Sequence, residues 1–196
     1  MLLVYAVIGI AILLVLWGIS TYNFFASAKQ RISAAKQEIG NQLKRQVDLI
    51  PNLEESTKGY LKHEKGIFKD LTDARKQASS AVKSGDLAQM AEAGSKLAGV
   101  LPKIQVMVED NPELKANTVV TQLMEELRDT SDKVMYSRRL LIDLVADYNV
   151  RRVSVPSNII ANMFNFGPMV GLEMDENGEH LKVTAAETKT PKVDLS

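Results

Sequence analysis

Leu2-Leu3-Val4-Tyr5-Ala6-Val7-Ile8-Gly9-Ile10-Ala11-Ile12-Leu13-Leu14-Val15-Leu16-Trp17-Gly18-Ile19 contains neither a charge nor a proline. A bilayer core about 30 Å thick requires roughly 20 apolar residues in a helix, a length this run approaches. Beyond Tyr22 the chain is polar and helix-periodic. It therefore divides into a transmembrane anchor (1–22), a helical body (23–165) and a tail (166–196) that is partly flexible or a short hairpin. A cleaved signal peptide is the competing reading, since Ala26-Ser27-Ala28 has the form of a cleavage site. The lack of a basic leader, the length of the run and the intervening aromatics count against it. Trp17, Tyr22, Phe24 and Phe25 are the expected aromatic belt at the membrane–water interface. No basic side chain precedes the run, whereas Lys29, Arg31, Lys36, Lys44 and Arg45 follow it. The positive-inside rule then places the body in the cytoplasm and the short N-terminus outside.

Lys plus Arg and Asp plus Glu both number 24, so the formal charge is zero. That balance offers nothing to a nucleic acid. With no cysteine, disulfides, thiolate metal sites and a cysteine nucleophile are excluded.

Ile39, Leu43, Gln46, Ile50, Leu53, Thr57, Tyr60, Glu64, Ile67, Leu71, Ala74 and Ala78 alternate steps of four and three, a heptad seam of mixed quality. Pro51 lies inside it. The seam keeps phase across the proline, which favours one long kinked helix from about Phe24 to Val82; a true break would produce two antiparallel helices. Ser84-Gly85-Asp86 reads as a turn with a cap. The next helix, small-sided through its Ala and Gly residues, carries Pro102, where a kink is expected. Asn111-Pro112-Glu113 reads as a helix start. The long helix after it holds Leu123, Leu127, Thr130, Val134, Ser137, Leu141, Leu144 and Tyr148 in register and stops before Pro156. A short amphipathic helix follows, with Ile159, Ile160, Met163 and Phe164 as its apolar side. Beyond Asn165 the pattern decays. Glu176-Asn177-Gly178-Glu179 is a hairpin candidate, with Leu172 and Met174 facing Leu181 and Val183. The fold class is all-α: a transmembrane helix leading into a long antiparallel, up-and-down bundle of three to four helices. The first long helix is net basic and the third net acidic, which favours their pairing.

No constellation for catalysis emerges. His63-Glu64 begins a zincin-like motif, but Ile67 stands where the second histidine belongs. The other histidine, His180, lies in the tail. Neither G-x-S-x-G nor a phosphate loop occurs. No catalytic residue, cofactor site or metal site is assigned. Two clusters combine a proline with apolar and short polar side chains: Asp48, Pro51 and Asn52, and then Pro156, Ser157, Asn158, Ile159 and Ile160. In the first, Asp48 or Asn52 is positioned to satisfy backbone groups freed by Pro51. Each cluster is also a candidate docking site at a kink or helix end.

Thr21-Tyr22-Asn23, Gln42-Leu43-Lys44-Arg45, Asp48-Leu49-Ile50-Pro51-Asn52-Leu53, Lys58-Gly59-Tyr60 and His63-Glu64 follow one another in order. Then come Pro112-Glu113-Leu114-Lys115-Ala116-Asn117, Gln122-Leu123, Glu125-Glu126-Leu127, Tyr148-Asn149, Pro156-Ser157-Asn158 and Pro191-Lys192-Val193-Asp194. In these stretches the sequence resembles the LemA family of bacterial membrane proteins, departing from it at Leu195, where Phe is usual, and at Pro102. The resemblance implies an N-terminal anchor in the bacterial inner membrane and an antiparallel helical bundle. It implies little biochemistry: some relatives take part in magnetosome membrane formation, and others lie beside a membrane metalloprotease. The leading expectation is a non-enzymatic scaffold that self-associates or docks partners at the bilayer. The alternative is an adaptor delivering substrates or signals to a membrane protease. The expected partners are the lipid bilayer, further copies of the chain and another membrane protein.

Overall fold

A computed structural model describes residues 1–59 and 65–172. All regular structure among them is helical: α1 (Leu2–Thr57), α2 (Lys65–Ser84), α3 (Leu87–Asp110), α4 (Pro112–Ala116), α5 (Thr118–Val153) and α6 (Ser157–Met163). The all-α reading and the N-terminal apolar helix are both observed. The hairpin candidate past Leu172, the seam positions Tyr60 and Glu64, and both histidines lie outside the described residues.

The apolar run and the first body helix are one uninterrupted helix of 56 residues, about 84 Å at 1.5 Å per residue. Its two parts differ in what they touch. None of the apolar run is buried by protein. Burial begins at Thr21 and recurs at Phe25, Ala28, Ile32, Ala35, Ile39, Leu43, Gln46, Ile50, Leu53 and Thr57. Those steps of three and four keep one stripe facing its neighbours. Among the described residues this is the one helix long and apolar enough to cross a membrane.

The first helix does not run on to Val82. It stops at Thr57, six residues past Pro51, and α2 returns alongside it. Thr72 Oγ1 donates to Glu54 Oε1 at 2.6 Å and Arg75 Nε donates to the Val47 carbonyl at 3.3 Å. Pro51 has no N–H to give the carbonyl four residues back. That carbonyl belongs to Val47, so the group orphaned by the proline is taken up by an arginine from the next helix. This corrects the expectation for Asp48 and Asn52. A carboxylate is acceptor-only and has no proton for a carbonyl, and no hydrogen bond from either side chain is found among the described residues.

The turn into α3 follows its sequence signals. Gly85 adopts φ +70°, and Asp86 accepts from the Gln89 N–H at 2.9 Å. Helix α3 runs antiparallel to α2, with Gln77 meeting Glu92 and Lys103 meeting Asp70. The start at Asn111-Pro112 is real but short. Asn111 caps only the five residues of α4, and Asn117 then caps a separate helix through the Val119 and Val120 N–H groups. Helix α5 descends beside α1: Arg45 pairs with Glu126 near one end, and Phe25 meets Tyr148 near the other. Its buried residues follow the expected register except at two positions: Leu123 is half-buried, and Val145 is buried in place of the half-buried Leu144. Gly94 lets α3 approach both long helices, since a Cβ there would stand 3.1 Å from Val134 Cγ1 and 3.5 Å from Leu43 Cδ2. The result is an up-down-up-down bundle. The α2–α3 hairpin reaches down α1 only to about Gly40, which contacts Met90. Nearer the apolar run, α1 and α5 continue as a pair.

Candidate functional site

Below that hairpin the two long helices are closed by an aromatic collar. Phe25 and Tyr148, both fully buried, meet edge-on with centroids 5.4 Å apart. Phe166 stacks on Phe25 at 5.0 Å and leans on Tyr22 at 5.5 Å. Tyr22 in turn takes the Phe164 ring edge-on at 4.8 Å. Such offset and edge contacts are the favoured geometry of aromatic pairs, worth about 0.5–1.5 kcal/mol each beyond area burial. Two cations lie over ring faces: Arg151 over Phe24 at 4.1 Å and Lys29 over Phe166 at 5.8 Å.

Phe166 belongs to a strap, residues 165–172, that turns at Asn165 (φ +53°) and climbs α5 away from the apolar run. Asparagine tolerates that left-handed conformation better than most residues. One face of α5 holds the strap. Arg152 Nε donates to the Phe166 carbonyl at 2.9 Å, and the Tyr148 hydroxyl donates to the Gly167 carbonyl at 3.0 Å. Asn149 grips Met169 twice, donating to its carbonyl at 2.8 Å and accepting from its N–H at 3.0 Å. The carboxamide thus does for Met169 what a neighbouring strand would do. Gly171 completes the closure: a Cβ there would stand 3.2 Å from Val145. Burial pushes the Tyr148 phenol above its usual range, with Arg152 partly opposing.

Helix α6 hangs below the collar against the end of the apolar run. Ser157 Oγ donates to the carbonyls of Arg151 and Ser154, at 2.6 and 3.0 Å, and so closes the C-terminus of α5. Ile160 is buried and lies against Gly18, where a Cβ would be 3.7 Å from its Cδ1. Ile159 and Met163 remain 61% and 62% exposed. Between α6 and α1 lies an apolar groove of about 490 Å³, lined by Leu14, Val15, Gly18, Ile19, Tyr22, Ile160, Met163 and Phe164.

The expected site residues separate into two places. Asp48, Pro51 and Asn52 sit near the far end of α1, with Asp48 and Asn52 exposed. Pro156, Ser157, Asn158, Ile159 and Ile160 sit at the opposite end, beside the apolar run. Gly18 and Pro51 are about 50 Å apart along the helix, so the clusters form no common site. Of the second cluster, Ser157 and Ile160 close the bundle end, Asn158 Oδ1 is buried without a partner, and Ile159 is free for other contacts. Of the expected aromatic belt, Tyr22 is exposed and Trp17 and Phe24 are half-buried. Phe25 is corrected: its ring lies wholly inside the bundle because its position falls on the buried stripe of α1. The boundary expected at 165 also moves, since residues 166–172 stay packed on the bundle. Asn149, Arg151, Arg152 and Phe166 had no assigned role in the sequence reading. Among the described residues no group of three or more His, Asp or Glu side chains is placed to hold a metal ion.

The LemA family model matches residues 35–193, most of the chain. The chain belongs to the LemA family. No curated protein matches this LemA chain individually. The match takes in the hairpin, the long α5 helix, α6 and the strap. It begins after the apolar run and after the α1 side of the collar.

Proposed function

We propose that this LemA-family chain is a non-enzymatic scaffold, anchored in the bacterial inner membrane, whose copies associate side by side or dock other membrane proteins. The observation that carries the reading is the unbroken α1. A helix with no joint between the apolar run and the bundle fixes the direction of the body, so neighbouring copies meet in a restricted set of orientations. Confinement to two dimensions raises their effective concentration, so that weak contacts between copies suffice. The basic residues after the apolar run, with none before it, favour a cytoplasmic body and a short external N-terminus. Crosslinking in intact membranes, together with the mass of the detergent-solubilised chain, tests the reading. Crosslinked ladders and a mass above one chain are expected; a strict monomer in both measurements overturns it.

The adaptor reading draws on a different observation. Asp48 and Asn52 are exposed near the end of α1 remote from the apolar run, where the soluble part of a membrane protein could meet them. It predicts a membrane protease that co-purifies with the wild type and is lost from Asp48→Ala/Asn52→Ala. Unchanged capture by that variant counts against this surface.

A further inference from the structure

The groove between α1 and α6 combines three features. Its α1 wall, Leu14, Val15, Gly18 and Ile19, belongs to the apolar run itself, so the groove opens at bilayer depth. Its size falls in the range of small-molecule sites, and it is lined almost wholly by apolar side chains. Cations gather just above it. Phe166, which leans on Tyr22 at the groove's upper edge, carries Lys29 over its ring and Arg152 on its carbonyl. Lys29 lies seven residues beyond Tyr22, two turns along the same face and about 10 Å further up, within reach of a snorkelling side chain.

The charge distribution over the whole chain points the same way. No Asp or Glu occurs in residues 1–37 or 148–172, the two stretches that build the membrane-proximal end. They hold five of the chain's 24 Lys and Arg: Lys29, Arg31, Lys36, Arg151 and Arg152. All 24 acidic residues lie elsewhere. The chain is neutral as a whole but cationic where it meets the bilayer, as a surface facing anionic lipid would be. Helix α6 keeps Ile159 and Met163 exposed on this end, which would be unfavourable in water and suits an interfacial helix.

We propose that α6 is a second membrane contact and that its groove with α1 seats an acyl chain of an anionic glycerophospholipid, with Lys29 and Arg152 facing the headgroup phosphate. The site holds one lipid per chain and is independent of whether copies associate. The test uses the full chain, reconstituted in an equimolar bilayer of phosphatidylglycerol and phosphatidylcholine and then extracted into mild detergent. Native mass spectrometry counts the lipids retained per chain. Retained phosphatidylglycerol should exceed phosphatidylcholine at least tenfold, and Lys29→Gln/Arg152→Gln should bring the ratio near one. Gly18→Leu, which fills the groove, and Met163→Glu, which places a charge at an exposed position of its wall, should each lower retained lipid at least fivefold with helix content unchanged. Retention in proportion to bilayer composition overturns the proposal. So does undiminished retention in Met163→Glu, which decides the matter if Gly18→Leu disturbs the helix. Because the chain has no cysteine, Ile159→Cys can carry a lone fluorophore. Quenching by lipids spin-labelled near the glycerol is expected; quenching no stronger than for the same probe at Asp48→Cys overturns the membrane contact.

Discussion

The two ends of the bundle solve the same packing problem with different materials. Away from the apolar run, four helices close around Ala74, Ala78, Ala81, Ala93 and Gly94 together with Leu and Ile, and small side chains set the spacing. Near the apolar run only α1 and α5 remain as long helices. There, large rings and a hydrogen-bonded strap do what two further helices do above. A helix pair alone leaves one side of its stripe open, and Phe25, Tyr148 and Phe166 fill that side with few, bulky residues. Each large ring at the collar therefore matters more than any one alanine in the hairpin.

Substitutions at both ends and one titration probe that contrast. Tyr148→Ala removes a fully buried ring and the hydroxyl that holds Gly167. A loss of about 3–5 kcal/mol is expected, read by thermal or denaturant unfolding in detergent. Hydrogen-exchange protection at 166–172 should fall with it, whereas an equivalent core truncation at Leu53 should leave that protection intact. Gly94→Leu, in the small-residue half, forces side chains into the space shared with Val134 and Leu43, at about 1–3 kcal/mol; crosslinks between α3 and α5 should lengthen. Arg75→Met strands the Val47 carbonyl and should cost about 1–2 kcal/mol. Restoring an N–H with Pro51→Ala in the same chain should recover most of that loss, a coupling that a double-mutant cycle measures. Gln46 is buried on the α1 stripe with its Oε1 unpartnered. Gln46→Leu should raise stability by about 1 kcal/mol, and a decrease would point to a partner for that oxygen. The smallest effect is pH. The Tyr148 phenol has a raised pKa in the folded chain, so its contribution is complete below the unfolded value near 10 and is lost as pH rises through the folded value. Ultraviolet titration of tyrosinate against unfolding should show the collar failing on the alkaline side, and Tyr148→Phe should remove that dependence.

What could be read from the sequence was local. The stripe on α1, the caps at Asp86 and Asn111 and the register of α5 each depend on residues within a turn or two of one another. The end of α1 at Thr57 was not legible, because the heptad pattern runs on past it in phase. The chain turns there because α2 can pack back on α1, with Arg75 taking up the carbonyl that Pro51 leaves free 28 residues away. Asn117 was a second cap signal, overshadowed by the stronger Asn111-Pro112 pair just before it. The strap was invisible for a different reason. It has no periodicity of its own and is held by side chains of another element. Tyr148-Asn149 marked the family resemblance without revealing that the pair's task is to hold backbone some 20 residues ahead.

The uninterrupted α1 also makes the molecule a lever. With the apolar run set in a bilayer, as proposed above, its fulcrum is that bilayer and its arm is the stretch of residues 21–57, about 55 Å long. Transmembrane helices commonly tilt by about 20° to fit the thickness of their bilayer. Because no joint absorbs the angle, a 10° change in tilt carries the far tip, where Asp48, Pro51 and Asn52 lie, through about 10 Å. In the proposed anchoring, bilayer thickness is thereby converted into the position of a distant surface.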